Sequence, residues 1–173
     1  CPVGTFCSVG STEPTVCAPG TYNDQLNAST CVNCAPGTFQ ALGRSTACDS
    51  CMHGHYCGDG SAAPLPCPAG TRTDPTLAVM TRQADCIICE PGTFCPVGSS
   101  VASSCSAGTF NSAQQQATCQ RCLEGKYQDE ESATACKTCP TGGYCPAGST
   151  TLQLCPGGSF SNLTGLSARS GCQ

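Results

Sequence analysis

Residues 34–51 read Cys34-Ala35-Pro36-Gly37-Thr38-Phe39-Gln40-Ala41-Leu42-Gly43-Arg44-Ser45-Thr46-Ala47-Cys48-Asp49-Ser50-Cys51. Three signals sit in this stretch. Ala-Pro-Gly-Thr suits a type II turn, with Pro at the second position and Gly supplying the positive φ of the third. An aromatic follows two residues after the glycine. A second Cys closes a 13-residue interval, and a C-x-x-C leads straight into the next unit.

The same pattern runs along the whole chain. Fourteen of the 20 cysteines begin C-x-x-G: Cys1, Cys7, Cys17, Cys34, Cys51, Cys57, Cys67, Cys89, Cys95, Cys105, Cys122, Cys139, Cys145 and Cys155. Of the other six, Cys31, Cys48, Cys86, Cys119 and Cys136 each lead a C-x-x-C, and Cys172 lies next to the last residue. All nine aromatics lie two residues after such a glycine, from Phe6 to Phe160. We expect each ring to fold back over a disulfide as a miniature core.

The spacings resolve into two module types. A four-Cys module C-x5-C-x9-C-x13-C spans 1–33 and recurs at 89–121; versions with a longer last loop span 51–88 and 139–173. A two-Cys module C-x13-C spans 34–50 and 122–138. The first three modules map onto the last three with a shift of 88 residues, so the chain is an internal repeat rather than one globule.

Composition agrees. Ile, Leu, Val and Phe total 23 of 173 residues, while Gly and Pro total 33. That is too little apolar side chain for a single large core, and without cross-links ordering entropy would keep the chain unfolded. The expected fold class is small and disulfide-rich: an elongated tandem array of short cysteine-rich modules with minimal β-hairpins and almost no helix. Gln114–Ala117 is expected to form one helical turn at most. The net charge of −4, with 7 Lys plus Arg, argues against nucleic acid or an anionic membrane as partner. No apolar run reaches the roughly 18 residues of a membrane span.

Four cysteines allow three pairings. Consecutive pairing is favoured. The 13-residue loops and their stretched versions then close as Cys17–Cys31, Cys34–Cys48, Cys67–Cys86, Cys105–Cys119, Cys122–Cys136 and Cys155–Cys172. The remaining short loops close as Cys1–Cys7, Cys51–Cys57, Cys89–Cys95 and Cys139–Cys145. The rival is crossed pairing within four-Cys modules, such as Cys1–Cys17 with Cys7–Cys31, as in growth-factor-like modules. In both schemes two residues separate neighbouring modules, which we read as short linkers that stiffen a rod.

Cys34-Ala-Pro-Gly-Thr-Phe…Cys48-Asp-Ser-Cys51 and Cys122-Leu-Glu-Gly-Lys-Tyr…Cys136-Lys-Thr-Cys139 resemble the ephrin-receptor-like cysteine-rich repeat and the short modules of tumour necrosis factor receptors. Proteins with such repeats include receptor ectodomains and long surface proteins of protists and algae, among them flagellar-hair (mastigoneme-like) subunits. The C-x5-C-x9-C start departs from the tumour necrosis factor receptor pattern, and the acidic calcium cluster of growth-factor modules is missing. No ligand site and no calcium site therefore carries over.

No catalytic set, cofactor motif or conventional metal set is visible, and the chain does not read as an enzyme. His53 and His55, in Cys51-Met-His-Gly-His-Tyr-Cys57, read as exposed loop histidines. Asp129, Glu130 and Glu131 read as a solvated loop tip. Two N-glycosylation sequons, Asn27-Ala28-Ser29 and Asn162-Leu163-Thr164, lie in loops expected to be exposed. The Ser and Thr content offers further O-linked positions. The cysteine load requires an oxidising compartment, so an extracellular location is expected. The chain reads as a segment of a longer secreted protein, cut at module boundaries.

Function follows as an expectation. The chain should be a glycosylated structural segment of an extracellular fibre, flagellar hair or surface coat. Its partners would be copies of itself or other matrix proteins. The alternative is the stalk or ligand-binding region of a receptor ectodomain. The long loops Cys67–Cys86 (with Arg72, Met80 and Arg82) and Cys155–Cys172 are where a ligand site would interrupt the repeat.

Overall fold

The computed structural model describes all 173 residues. It contains no α-helix and eighteen strands of two or three residues. The strands are β1 (Thr5–Phe6), β2 (Thr15–Val16), β3 (Thr21–Tyr22), β4 (Val32–Asn33), β5 (Thr38–Phe39), β6 (Asp49–Ser50), β7 (His55–Tyr56), β8 (Leu65–Pro66) and β9 (Thr71–Thr73). They continue as β10 (Cys86–Ile88), β11 (Thr93–Phe94), β12 (Ser103–Ser104), β13 (Thr109–Phe110), β14 (Gln120–Arg121), β15 (Lys126–Tyr127), β16 (Lys137–Thr138), β17 (Gly143–Tyr144) and β18 (Gln153–Leu154). They pair as consecutive two-stranded sheets. A tenth loop closes by a two-way backbone exchange between Phe160 and Gln173, at 2.7 and 2.8 Å. The fold is thus a tandem series of disulfide-rich hairpins.

The turn chemistry explains each hairpin. Thr21 N–H donates to Ala18 O (3.1 Å) across Pro19-Gly20, and the Thr21 hydroxyl donates to the same carbonyl at 2.7 Å. Gly20 has φ +84°, the left-handed value that a type II turn demands at this place. The residues expected as linkers are strands instead. Val32 and Asn33, between Cys31 and Cys34, pair with Tyr22 and Thr21. Their peptide groups need partners, and the strand leaving the previous turn supplies them.

Ten disulfides join consecutive cysteines, one per hairpin: Cys1–Cys7, Cys17–Cys31, Cys34–Cys48, Cys51–Cys57, Cys67–Cys86, Cys89–Cys95, Cys105–Cys119, Cys122–Cys136, Cys139–Cys145 and Cys155–Cys172. None of the cysteines is free. The sulfurs are the core: ten cysteines are at most 1% exposed.

The aromatic rings are not that core. Eight are half-buried, and Phe160 is 64% exposed. Side chains alternate between the faces of a strand, so the residue after the ring points to the opposite face, and that face is the buried one. In the short-bridge hairpins this residue is a bridging Cys (Cys7, Cys57, Cys95, Cys145). In the others it is Asn23, Gln40, Asn111, Gln128 or Ser161, all buried, as is Thr73, which follows Arg72 in the hairpin without a ring. At this place the amides add hydrogen bonds to the hairpin's own disulfide. Gln128 Nε2 donates to Ala135 O (2.7 Å), and its Oε1 accepts from Glu130 N–H (3.0 Å). Gln40 does the same with Ala47 O and Leu42 N–H, at 2.8 and 3.0 Å.

The chain divides into two compact units. One comprises Cys1–Pro68, Arg72–Ile87 and Val97–Val101; the other comprises Ala69–Thr71, Ile88–Pro96 and Ala102–Gln173. Within each, successive hairpins are joined by the same three backbone rungs, except that the fourth and fifth share one, from Cys57 N–H to Met80 O (3.0 Å). In the first unit, Gly20 N–H donates to Gln40 O (2.7 Å), Asn23 N–H to Ser45 O (3.0 Å), and Arg44 N–H to Cys17 O (2.8 Å). In the second, Gly108 N–H donates to Gln128 O (2.7 Å), Asn111 N–H to Ala133 O (3.1 Å), and Ser132 N–H to Cys105 O (2.8 Å).

Contact also skips a hairpin. A Cβ on Gly20 would overlap the Gly60 carbonyl two hairpins on, and one on Gly108 would overlap the Gly148 carbonyl. The loop residue that docks this way holds positive φ even when it is not glycine: Arg44 +62°, Gln115 +61° and Ser132 +56°, and Asn27, at the matching place in the second hairpin, has +58°. Gln114–Ala117 accordingly forms a bend and no helical turn, because Gln115 leaves the right-handed region. The one-turn 3-10 helices fall at Gln83–Asp85 and Arg169–Gly171, in the two stretched loops.

Candidate functional site

The largest departure from the repeat produces a concavity. Eighteen residues separate Cys67 from Cys86, and the extra length folds back over the turn that opens the fourth hairpin. The result is a groove of about 670 Å³ in the first unit, with Met52, His53 and His55 on one wall and Asp74, Leu77 and Val79 on the other. Met80 also lines it and is 6% exposed.

Polar contacts shape the long loop. Asp74 Oδ1 accepts from the Thr76 amide (2.9 Å) and hydroxyl (2.7 Å), which hold its carboxyl below the usual carboxylate range. Met80 O accepts from Cys57 N–H (3.0 Å), and the Thr73 hydroxyl donates to Ser100 O (3.0 Å). Asp85 gathers the loop's far end: its Oδ2 accepts from Thr81 N–H (2.8 Å), the Thr81 hydroxyl (3.0 Å) and Arg82 N–H (3.2 Å). Arg82 Nε adds an ion pair to Oδ1 at 3.1 Å.

The Thr81 amide leads the causes that depress Asp85's carboxyl. A carboxyl depressed on folding adds stability above its unfolded value, and that stability fades as pH falls through the folded one. The Thr81 amide resonance, followed by NMR against pH, should therefore titrate with a midpoint below the ordinary value of about 3.9. Asp85→Asn should flatten that curve and loosen residues 81–86. A midpoint at or above the ordinary value would show that this contact does not order the loop.

The residues singled out from sequence lie as follows. His53 is exposed and His55 half-buried, both on the groove. Arg72 lies in β9 and Arg82 at the Asp85 pair. Asp129 and Glu130 meet Lys137 at 2.6 and 3.3 Å, so this loop tip is tied to the second strand of its own hairpin. That contact lowers Asp129 and raises Lys137 from their ordinary pKa values. Asn27 and Asn162 are both exposed, 27 on a positive-φ loop residue and 162 just after buried Ser161.

Sequence reasoning missed the buried polar position after each aromatic. Its signal was present: ten loops carry either Cys or a hydrogen-bonding residue there. It also missed that Met80 lines the same groove as the Met52-His53-Gly54-His55 turn, since 24 residues separate Met80 from His55 in the chain.

Residues 108–155 match the family model described as tyrosine-protein kinase ephrin type A/B receptor-like. The matched segment runs from the turn glycine of the seventh hairpin to the cysteine that opens the tenth, and it includes the Cys122–Cys136 bridge. No curated protein matches the chain. The match and the ten bridges make the chain a cysteine-rich repeat array containing an ephrin-receptor-like repeat. Bridges in this number persist in oxidising compartments. No helix is long and apolar enough to cross a membrane.

Proposed function

We propose that this extracellular cysteine-rich array is a structural segment: a stiff, disulfide-stapled rod within a fibre, flagellar hair or surface coat, assembling with copies of itself. The observation that carries this reading is the backbone ladder between successive hairpins, three rungs at every junction but that of the fourth and fifth, reinforced by the contact that skips one. A hairpin held this way cannot tilt without breaking hydrogen bonds to one neighbour and clashing with the next. In this reading the modules 1–33, 34–50, 51–88, 89–121, 122–138 and 139–173 set an 88-residue repeat of equivalent surface. A surface repeated at fixed intervals suits heterologous contacts that propagate. N-linked glycans on Asn27 and Asn162 would keep chosen faces free of such contacts.

Two observations favour a second reading, in which the chain is part of a receptor ectodomain. They are the ephrin-receptor-like match and the groove beside the long loop. Electron microscopy of the native material separates the two. Periodic filaments are expected, with intact mass before and after N-glycosidase reading glycan occupancy on the same sample. Dispersed single molecules in both native and concentrated material would sink the fibre reading and leave the ectodomain one.

A further inference from the structure

The chain has two methionines and two histidines, and all four line the groove beside the long loop. No three His, Cys, Asp or Glu side chains gather anywhere in the chain. Besides the Asp74 carboxylate, whose Oδ1 is taken by the Thr76 amide and hydroxyl, the groove offers two imidazoles and two thioethers as ligands. This is a soft set, suited to a monovalent d10 ion that accepts low coordination numbers rather than to calcium or magnesium.

The repeat itself marks these residues as departures. The turn at Met52-His53-Gly54-His55 occupies the places of Ala18-Pro19-Gly20-Thr21 and Ala35-Pro36-Gly37-Thr38. Met stands for Ala, His for Pro and His for Thr, so all three variable places carry a potential ligand. The second shell is also in place. His55 Nδ1 lies 3.1 Å from His53 O, and a carbonyl only accepts, so Nδ1 carries the proton of the neutral ring. That leaves the Nε2 lone pair for an ion, with the ring oriented by its own backbone. Across the groove, Met80 is held by Cys57 N–H to its carbonyl and is nearly buried.

We propose that the Met52-His53-Gly54-His55 turn and Met80 form a binding site for one Cu(I) ion. Imidazole nitrogens of His53 and His55 are the main ligands, and thioether sulfur completes the set. Binding is reversible and involves no change in oxidation state.

The test is an anaerobic titration of the whole chain with Cu(I), and separately with Ag(I) as a redox-inert probe. It is followed by NMR of the methionine methyls and histidine ring protons. The expected result is one equivalent bound, with the Met52 and Met80 methyls and both rings shifting together. His53→Pro and His55→Thr restore the residues that other turns of this chain carry, so the fold is kept. Each should weaken binding by at least the 10- to 100-fold typical of losing even an outer-sphere partner. Met80→Leu, nearly equal in volume, should weaken it by a smaller factor. Unchanged affinity in the double variant His53→Pro/His55→Thr would overturn the proposal. So would shifts confined to other residues, or Zn(II) binding as tightly and indifferently to Met80→Leu.

Discussion

Reduction of the ten disulfides in native buffer is expected to unfold the entire chain, and loss of a single one should cost about 3 kcal/mol. The single-bridge figure applies to Cys34–Cys48, whose sequence separation is 14. Closing a loop of this length removes about 3 kcal/mol of unfolded-state entropy in the chain-entropy model. Two-residue strands do not stand alone in water, and besides Cys34 the hairpin buries only the Gln40 side chain, held by two hydrogen bonds within its own loop. A typical domain has about 5–15 kcal/mol of total stability, so one bridge is a large share.

Cys34→Ala/Cys48→Ala, studied by denaturant unfolding under non-reducing conditions, should show this loss. Amide exchange should also quicken at Gly20 and Gly60, whose N–H groups donate to Gln40 O and Cys34 O across the two flanking interfaces. A loss below about 1 kcal/mol, with exchange confined to residues 34–50, would mean that the hairpins are independent beads.

Gly20→Ala should cost more than Gly60→Asn by at least 1–2 kcal/mol, although both glycines have positive φ. At Gly20, with φ +84°, an L side chain meets the general left-handed penalty of about 1–2 kcal/mol. Its Cβ also overlaps the Gly60 carbonyl, which is backbone and cannot rotate away. Gly60, at φ +66°, faces the flexible Asn33 side chain at 3.4 Å, and Asn27 occupies the matching loop position at +58°. Asparagine tolerates this region, so Gly60→Asn should change stability by no more than about 0.5 kcal/mol. Thermal or denaturant unfolding of the two variants compares them directly. Equal costs would remove the skip-one contact from the account.

Much of this architecture was legible because its determinants are local. Ala35-Pro36-Gly37-Thr38 carries its turn in four residues. The recurrence of C-x-x-G with an aromatic two places on announced repeated hairpins, and the poverty of Ile, Leu, Val and Phe pointed to sulfur as the interior. What was misread depends on faces and on distant neighbours. The rings of Phe39 and Tyr127 seemed the natural core, yet the strand's alternation turns Gln40 and Gln128 inward instead. Val32-Asn33 seemed a spacer, yet pairing with Tyr22 and Thr21 makes it a strand. For Gln114–Ala117, where one helical turn at most was expected, there is none, and Gln115 N–H bonds to Cys89 O instead.

Residue order alone therefore determined the hairpins, their number and the location of the turns, since these rest on spacings of a few residues and on the φ that glycine and proline permit. Only the three-dimensional fold decided that turn glycines such as Gly20 and Gly108 would press against a carbonyl forty residues later. It also decided that Met80, His53 and His55 would line one groove. Those meetings depend on how each hairpin is rotated onto the next, and that rotation is set by backbone hydrogen bonds between hairpins, which no side-chain pattern records.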